Sequence, residues 1–229
     1  MKTDLAHNLK QLHGRIAAAC AEADRDANEI TIVAVTKGHL VGVIQSAVAT
    51  GIRNIGENRV QEAEQKIAEL GPIARWHMVG HLQTNKVKKA VELFDVIQSI
   101  DSLRLAQEVN RRAGELEREI ECLIEVNSSG ELQKSGADPA DALDLITAVK
   151  GMSNIKLTGL MTVGPLINNR ETIRRAFVLC RGLFKKGKDM VGEPFDTLSM
   201  GMSDDFELAI GEGSTMIRIG TALFGARQK

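Results

Sequence analysis

Residues 30–38 read ITIVAVTKG, an apolar and β-branched run that ends at Lys37 and Gly38. A continuous run of this kind marks a strand buried on both faces, as in a parallel sheet. A lysine at the carboxyl end of such a strand is costly to leave without a role. Burial lowers the pKa of an ammonium, and a neutral lysine amine is the nucleophile that forms Schiff bases with carbonyl compounds. Two readings stay open from this segment alone: a carbonyl-binding lysine, or a lysine that snorkels out to solvent.

Outward from this strand the chain alternates. Strands are predicted at 30–36, 52–55, 75–79, 95–100, 120–126, 155–161, 196–199 and 215–219. Helical stretches fall at about 40–50, 58–70, 84–92, 102–117, 139–150, 168–187 and 204–211. Leu5, Leu9, Leu12 and Ile16 recur at helical spacing, which predicts an amphipathic helix over 4–23. Strands alternating with helices predict a parallel α/β fold, and eight is the number that closes a (β/α)8 barrel. The expectation is one barrel domain over 1–229, with a doubly wound open sheet as the competitor. Only TALFGARQK follows the eighth strand, too little for a full closing helix. The helix at 4–23 is expected to cover the face left open.

Composition bounds the function. Lys+Arg is 29 and Asp+Glu is 30, a formal net charge of −1, so no global field pulls toward nucleic acid or membrane. Cys20, Cys122 and Cys180 are odd in number and form no CxxC, which argues against disulfides and zinc and for a reducing compartment. The start, MKTDLAHNLK, has no apolar signal region, and no stretch approaches the ~20 apolar residues that cross a bilayer. A soluble cytoplasmic protein is expected. With no long unsatisfied apolar face, a monomer is expected too.

In a barrel the chemistry sits at the carboxyl ends of the strands. That places Lys37, Glu57, Asn58, His77, Gly80, His81, Ser99, Asp101, Asn127, Met161, Thr162 and Gly164 near one face. The last two loops are the most specific. LSMGMSDDFELAI carries Ser199, Gly201 and Ser203 at a strand-to-helix turn, and MIRIGTALFG carries Gly220 and Thr221 at the next. Hydroxyls and close-approaching backbone N–H groups suit a phosphate there. The plainer reading is that Ser203 or Asp204 caps the following helix. Asp204 and Asp205 would repel an anion placed at that helix start. Arg218 shares a strand face with Gly220; inside the barrel it would need acceptors, and outside it would face the helices or water. His77 and His81 are four apart on a strand, about 13 Å, too far for one metal ion. Asn58 could orient a ring or phosphate, or cap a helix. Lys134, in ELQKSG, reads as a solvated loop lysine or a mobile cation near the site. QTNKVKK at 83–89 reads as a solvated helix face or, with Lys86, Lys88 and Lys89, as a modest basic patch.

Seven ordered blocks carry a resemblance: AVTKGH around Lys37, IGENRVQEAEQK at 55–66, WHMVGHLQTNK at 76–86, ELQKSG at 131–136, LTGLMTVG at 157–164, LSMGMSDDFELAI at 198–210 and RIGTALFG at 218–225. From about residue 5 to 226 the chain resembles the pyridoxal phosphate homeostasis protein family. The resemblance implies a barrel like the amino-terminal domain of alanine racemase. It implies pyridoxal 5′-phosphate bound as an internal aldimine on Lys37, with contacts at Asn58, Ser199, Gly201, Ser203, Arg218, Gly220 and Thr221. It implies that Arg218 faces the pyridine nitrogen and that the serine, glycine and threonine groups hold the phosphate. Many bacterial members carry a second lysine where this chain has His39, and a mobile lysine at the position of Lys134. An arginine donates to the pyridine nitrogen without protonating it, which leaves the ring a weaker electron sink. The racemases supply a tyrosine from a second domain; this chain has no tyrosine and stops nine residues after Gly220. The resulting expectation is a non-catalytic protein that binds, buffers and delivers pyridoxal phosphate, in transient contact with apo-enzymes. The alternative is a weak amino-acid racemase or another enzyme of this fold, with a Schiff-base aldolase as a third reading by fold analogy.

Overall fold

In the computed structural model the first strand, β1 (Thr31–Val35), pairs in parallel with β2 (Asn54–Glu57) on one side and with β8 (Met216–Ile219) on the other. A strand flanked by the second and the last strand leaves no edge. The order β1 to β8 is a closed barrel, through β3 (Arg75–Met78), β4 (Val96–Ile100), β5 (Ile120–Glu125), β6 (Ile155–Met161) and β7 (Thr197–Ser199). The open-sheet alternative is therefore excluded. The structure describes residues 4–131, 133–166 and 169–225. The outer ends of the expected 1–229 domain, Leu132 of ELQKSG and the first residue of the helix expected at 168–187 lie outside them.

Each helix has a local cause. α1 (Leu5–Glu22) begins where the Asp4 side chain accepts from His7 N–H, and it buries Leu9, Leu12, Ile16, Ala19 and Cys20 on one face. α2 (Val41–Ala49), α3 (Val60–Leu70), α4 (Val87–Leu93) and α5 (Leu103–Glu115) follow, α5 capped by the Ser102 hydroxyl. α6 (Ala142–Val149), α7 (Arg170–Val191), α8 (Phe206–Gly211) and a single turn, α9 (Thr221–Phe224), complete the ring. The helix expected at 84–92 is a 3₁₀ turn at Thr84–Lys86 leading into α4. Strand two lies two residues beyond its expected place. NIGE reads poorly as a strand, yet its ladder partners on both sides set it, and a Cβ at Gly56 would stand 3.0 Å from Val33 Cγ1.

α1 fills the place of the missing closing helix, as expected. Asn8 Nδ2 donates to Leu223 O at 2.9 Å, tying α1 to α9. Arg15 pairs with Glu207 on α8 and lies 4.5 Å over the Phe206 ring. Arg25, just past α1, donates to Ile210 O and Ser214 O. The main core lies between strands and helices, around Phe94, Phe177, Phe195 and Phe206. Among the described residues no helix is long and apolar enough to cross a membrane.

Candidate functional site

A cavity of about 380 Å³ opens where the strands end, lined by Val35, Lys37, His39, Asn58, Val79, Gly80, Val163, Met202, Ser203, Asp204, Arg218, Gly220, Thr221 and Gly225. Six of the eight residues expected at the cofactor meet there: Lys37, Asn58, Ser203, Arg218, Gly220 and Thr221. Lys37 stands two residues past the end of β1 and is half-buried rather than enclosed by the sheet. Gly80 lets the opposite wall close: a Cβ there would fall 2.5 Å from Asn58 O. His39 packs its ring against Phe224, centroids 4.8 Å apart. A wider groove of about 570 Å³ lies on the outer wall between α1, α7 and α8. Helices rather than strand ends dominate it, so the barrel mouth is the better candidate.

Arg218 faces inward and is 4 % exposed, which rules out the outward-facing reading. Its guanidinium donates to Ser199 O at 2.9 Å, Ser199 Oγ at 2.7 Å and Thr162 O at 2.7 Å. These acceptors are neutral; Asp205 and Glu125 supply opposing charge from farther away, while burial lowers the guanidinium pKa. Ser199, expected at the phosphate, does not line the cavity; its hydroxyl is fully buried beneath Arg218, accepting from the guanidinium and donating to Gln98 Oε1 at 2.7 Å. Gly201 is likewise not a lining residue. It holds φ at +96°, its carbonyl accepts from Arg218 N–H, and a Cβ would fall 2.6 Å from Ala209 Cβ.

A polar column runs down the barrel from this point, where barrels ordinarily pack branched aliphatics. Gln98 Nε2 donates to His77 Nδ1 at 2.9 Å, and His77 Nε2 meets Asn54 Oδ1 at 3.0 Å. Burial, helped by Arg75, pushes the His77 imidazole down to about 3, so it is neutral. Its hydrogen bonds match the tautomer with the proton on Nε2. His77 thus serves the interior, while His81 is exposed and pairs with Asp101. Among the described residues no group of three or more His, Cys, Asp or Glu is placed to hold a metal ion. Sequence reading passed over Gln98 and Glu125. A lone polar residue inside the apolar run VIQSI was the available signal for Gln98. Glu125 is buried, and burial pushes its carboxyl up to about 7 despite the opposing charge of Arg218.

The opposite corner is built by Ser203. Its hydroxyl oxygen accepts from Gly220 N–H at 3.3 Å and Ala222 N–H at 3.1 Å, so it braces the first turn of α9 rather than capping α8. Asp205 precedes α8, and its carboxylate accepts from Met202 N–H at 2.6 Å. Asp204 is exposed at the pocket edge. Lys134 departs from the solvated reading: its Nζ donates to Gly164 O at 2.6 Å and pairs with Glu131 at 2.7 Å, outside the pocket lining. Glu57 points away from the cavity, toward α3, where it pairs with Lys66.

The chain matches the model of the alanine racemase N-terminal domain over residues 4–228. The pyridoxal phosphate homeostasis protein of Escherichia coli K12 is 41 % identical over 233 residues, covering 98 % of this chain and 97 % of its own. PipY of Synechococcus elongatus PCC7942 superposes with a TM-score of 0.87 without PLP, at 37 % identity over 97 % of this chain and all of its own. Its structure with PLP bound gives 0.81, at 39 % identity over 92 % of this chain and all of its own. An alanine racemase of Clostridium difficile 630 shares the fold, TM-score 0.79, at 17 % identity over 99 % of this chain and 60 % of its own. A barrel of eight parallel strands, matched from end to end by relatives of this similarity, belongs to the alanine racemase N-terminal-domain family and, within it, to the pyridoxal phosphate homeostasis proteins.

Proposed function

We propose that this protein binds pyridoxal 5′-phosphate covalently through Lys37 Nζ and keeps it available to the enzymes that need it, without catalysing a reaction itself. The observation that carries the reading is the donor set gathered in one cavity. A primary amine, Lys37, a guanidinium, Arg218, and the Ser203 and Thr221 hydroxyls line the same space. Asn58 Oδ1 is buried without a hydrogen-bond partner among the described residues, as suits a wall made to meet a polar ligand. An aldehyde, an aromatic ring and a phosphate match an amine, a cation and a hydroxyl-rich corner.

When bound, the cofactor supplies an aldehyde that an amine can hold and a ring that can accept electrons. The protein's own residues favour holding. Arg218 keeps its proton, so it can donate a hydrogen bond at the ring but cannot pass a proton to it. Ser199 and Thr162 lock that guanidinium in place. The chain contains no tyrosine to act as the second acid or base of a racemase. His39, which lines the pocket, is the group that keeps the racemase alternative testable. The reading includes one barrel domain, a monomer, transient contact with apo-enzymes and a reducing cytoplasm. Cys20, Cys122 and Cys180 are free and buried, which suits that compartment.

Protein mixed with pyridoxal phosphate should turn yellow, and borohydride should fix the cofactor mass on Lys37. Modification elsewhere, with Lys37 untouched, would sink the assignment. Incubation with D- or L-alanine should give no turnover, whereas ~1 per second or more would make it an enzyme.

A further inference from the structure

We propose that Lys66 is a positioning residue, which together with Glu57 and Glu62 clamps the turn on both sides of Lys37 and presents its amine to the pocket. This rests on Lys37 as the attachment point. Lys66 lies on α3 and is 6 % exposed. An ammonium has three N–H donors, and three acceptors surround this one: Glu57 Oε1 at 2.6 Å, Glu62 Oε1 at 2.6 Å and Thr36 O at 2.8 Å. Each carboxylate is also tied to a neighbour of Lys37. The Thr36 hydroxyl donates to Glu57 Oε1 at 2.5 Å, and Gly38 N–H donates to Glu62 Oε1 at 2.5 Å.

Residues 36 and 38 are thus held from the same outer cluster, with residue 37 between them. Alternation does the rest: Thr36 turns outward to Glu57, and Lys37 turns inward to the cavity. Gly38 sits at φ +74°, which lets the chain turn immediately beyond the lysine. A buried ion cluster is a weak source of stability, because desolvation offsets most of the Coulomb attraction. What it does supply is direction. Its hydrogen bonds are short, its members are fixed on α3 and β2, and three of its five links end on Thr36 or Gly38, beside Lys37. Misplacing a reacting group by about 1 Å can cost on the order of a hundredfold, so a loosened turn should show in capture at Lys37.

The test uses Lys66→Met, Glu62→Ala and Glu62→Gln in the full chain. Glu62 is at the rim, its side chain 26 % exposed, so its variants keep the test open if Lys66→Met does not fold. The first readout is hydrogen exchange of the Gly38 amide in cofactor-free protein. It should quicken at least tenfold in Glu62→Ala and Lys66→Met and stay near wild type in Glu62→Gln, which keeps an acceptor. The second is the pyridoxal phosphate concentration needed for half-maximal borohydride capture at Lys37, which should rise tenfold to a hundredfold in the same two variants. Wild-type capture with unchanged capture curves and unchanged Gly38 exchange in both variants overturns the clamp alone. A wild-type protein that captures nothing at Lys37 overturns the function reading and, with it, the purpose assigned to the clamp.

Discussion

Replacing Glu125 by glutamine should make the fold lose stability, relative to the wild type, as pH falls through mild acid. Burial lifts the Glu125 carboxyl from its ordinary 4.5 to about 7. Between those values the folded state holds a proton that the unfolded chain has released, so this group makes the fold more stable as pH falls from 7 to 4.5. His77 acts in the opposite sense. Burial lowers its imidazole from 6.5 to about 3, so below pH 6.5 the unfolded chain takes the proton first and stability is lost as pH falls. Each slope is ~1.4 kcal/mol per pH unit, and from pH 6.5 to 4.5 they cancel. Glu125→Gln leaves the His77 slope alone, a loss of roughly 2–3 kcal/mol over those two units. His77→Gln leaves the Glu125 slope, a gain of similar size. Urea unfolding at pH 4.5, 5.5 and 6.5 reads both, with the buried Trp76, the chain's single tryptophan, as the fluorescent probe. Other carboxylates titrate in the same window, and subtracting the wild-type profile removes them. Variant profiles parallel to wild type, or two variants sloping the same way, would refute the reasoning.

Three further changes follow from the geometry. Gly201→Ala puts a Cβ on a φ of +96° and 2.6 Å from Ala209 Cβ, and should cost about 2–4 kcal/mol in a urea titration; an unchanged midpoint would show that this turn relaxes freely. Leu12→Ala empties a site 1 % exposed between α1 and the barrel, and should cost ~2–5 kcal/mol by the same assay. A loss under about 0.5 kcal/mol would mean that α1 is not part of the cooperative fold. Arg218→Glu should shift the absorbance of the bound cofactor toward the ring-protonated form or abolish binding, and an unaltered spectrum would remove Arg218 from the ring.

The barrel was legible because its signal is local and repeated. Buried strands between amphipathic helices leave the same apolar signature along most of the chain, and the short tail after strand eight pointed to α1 as the displaced closing helix. Strand two was the weak point. NIGE is polar and contains a glycine, and it becomes a strand because β1 and β3 supply its ladder partners. Strand ends alone pointed to a wider list that held Lys37, Asn58, Ser203, Gly220 and Thr221, since the fold puts every strand end on one face; the family resemblance narrowed that list and singled out Arg218 within strand eight.

What those residues do to one another was not legible. Ser199 ends β7 and Ser203 follows four residues on in the next loop, yet one supports Arg218 from beneath and the other braces α9. Which way a side chain points depends on strand register around the whole ring, and no single segment carries that. The column from Arg218 through Ser199, Gln98 and His77 to Asn54 joins five strands. The cluster beneath Lys37 joins β2, α3 and the turn after β1. Order along the chain was sufficient to place a lysine at the mouth of a barrel. Its surroundings arise only when distant strands close on each other, because hydrogen bonds act over about 3 Å of space whatever the separation in sequence.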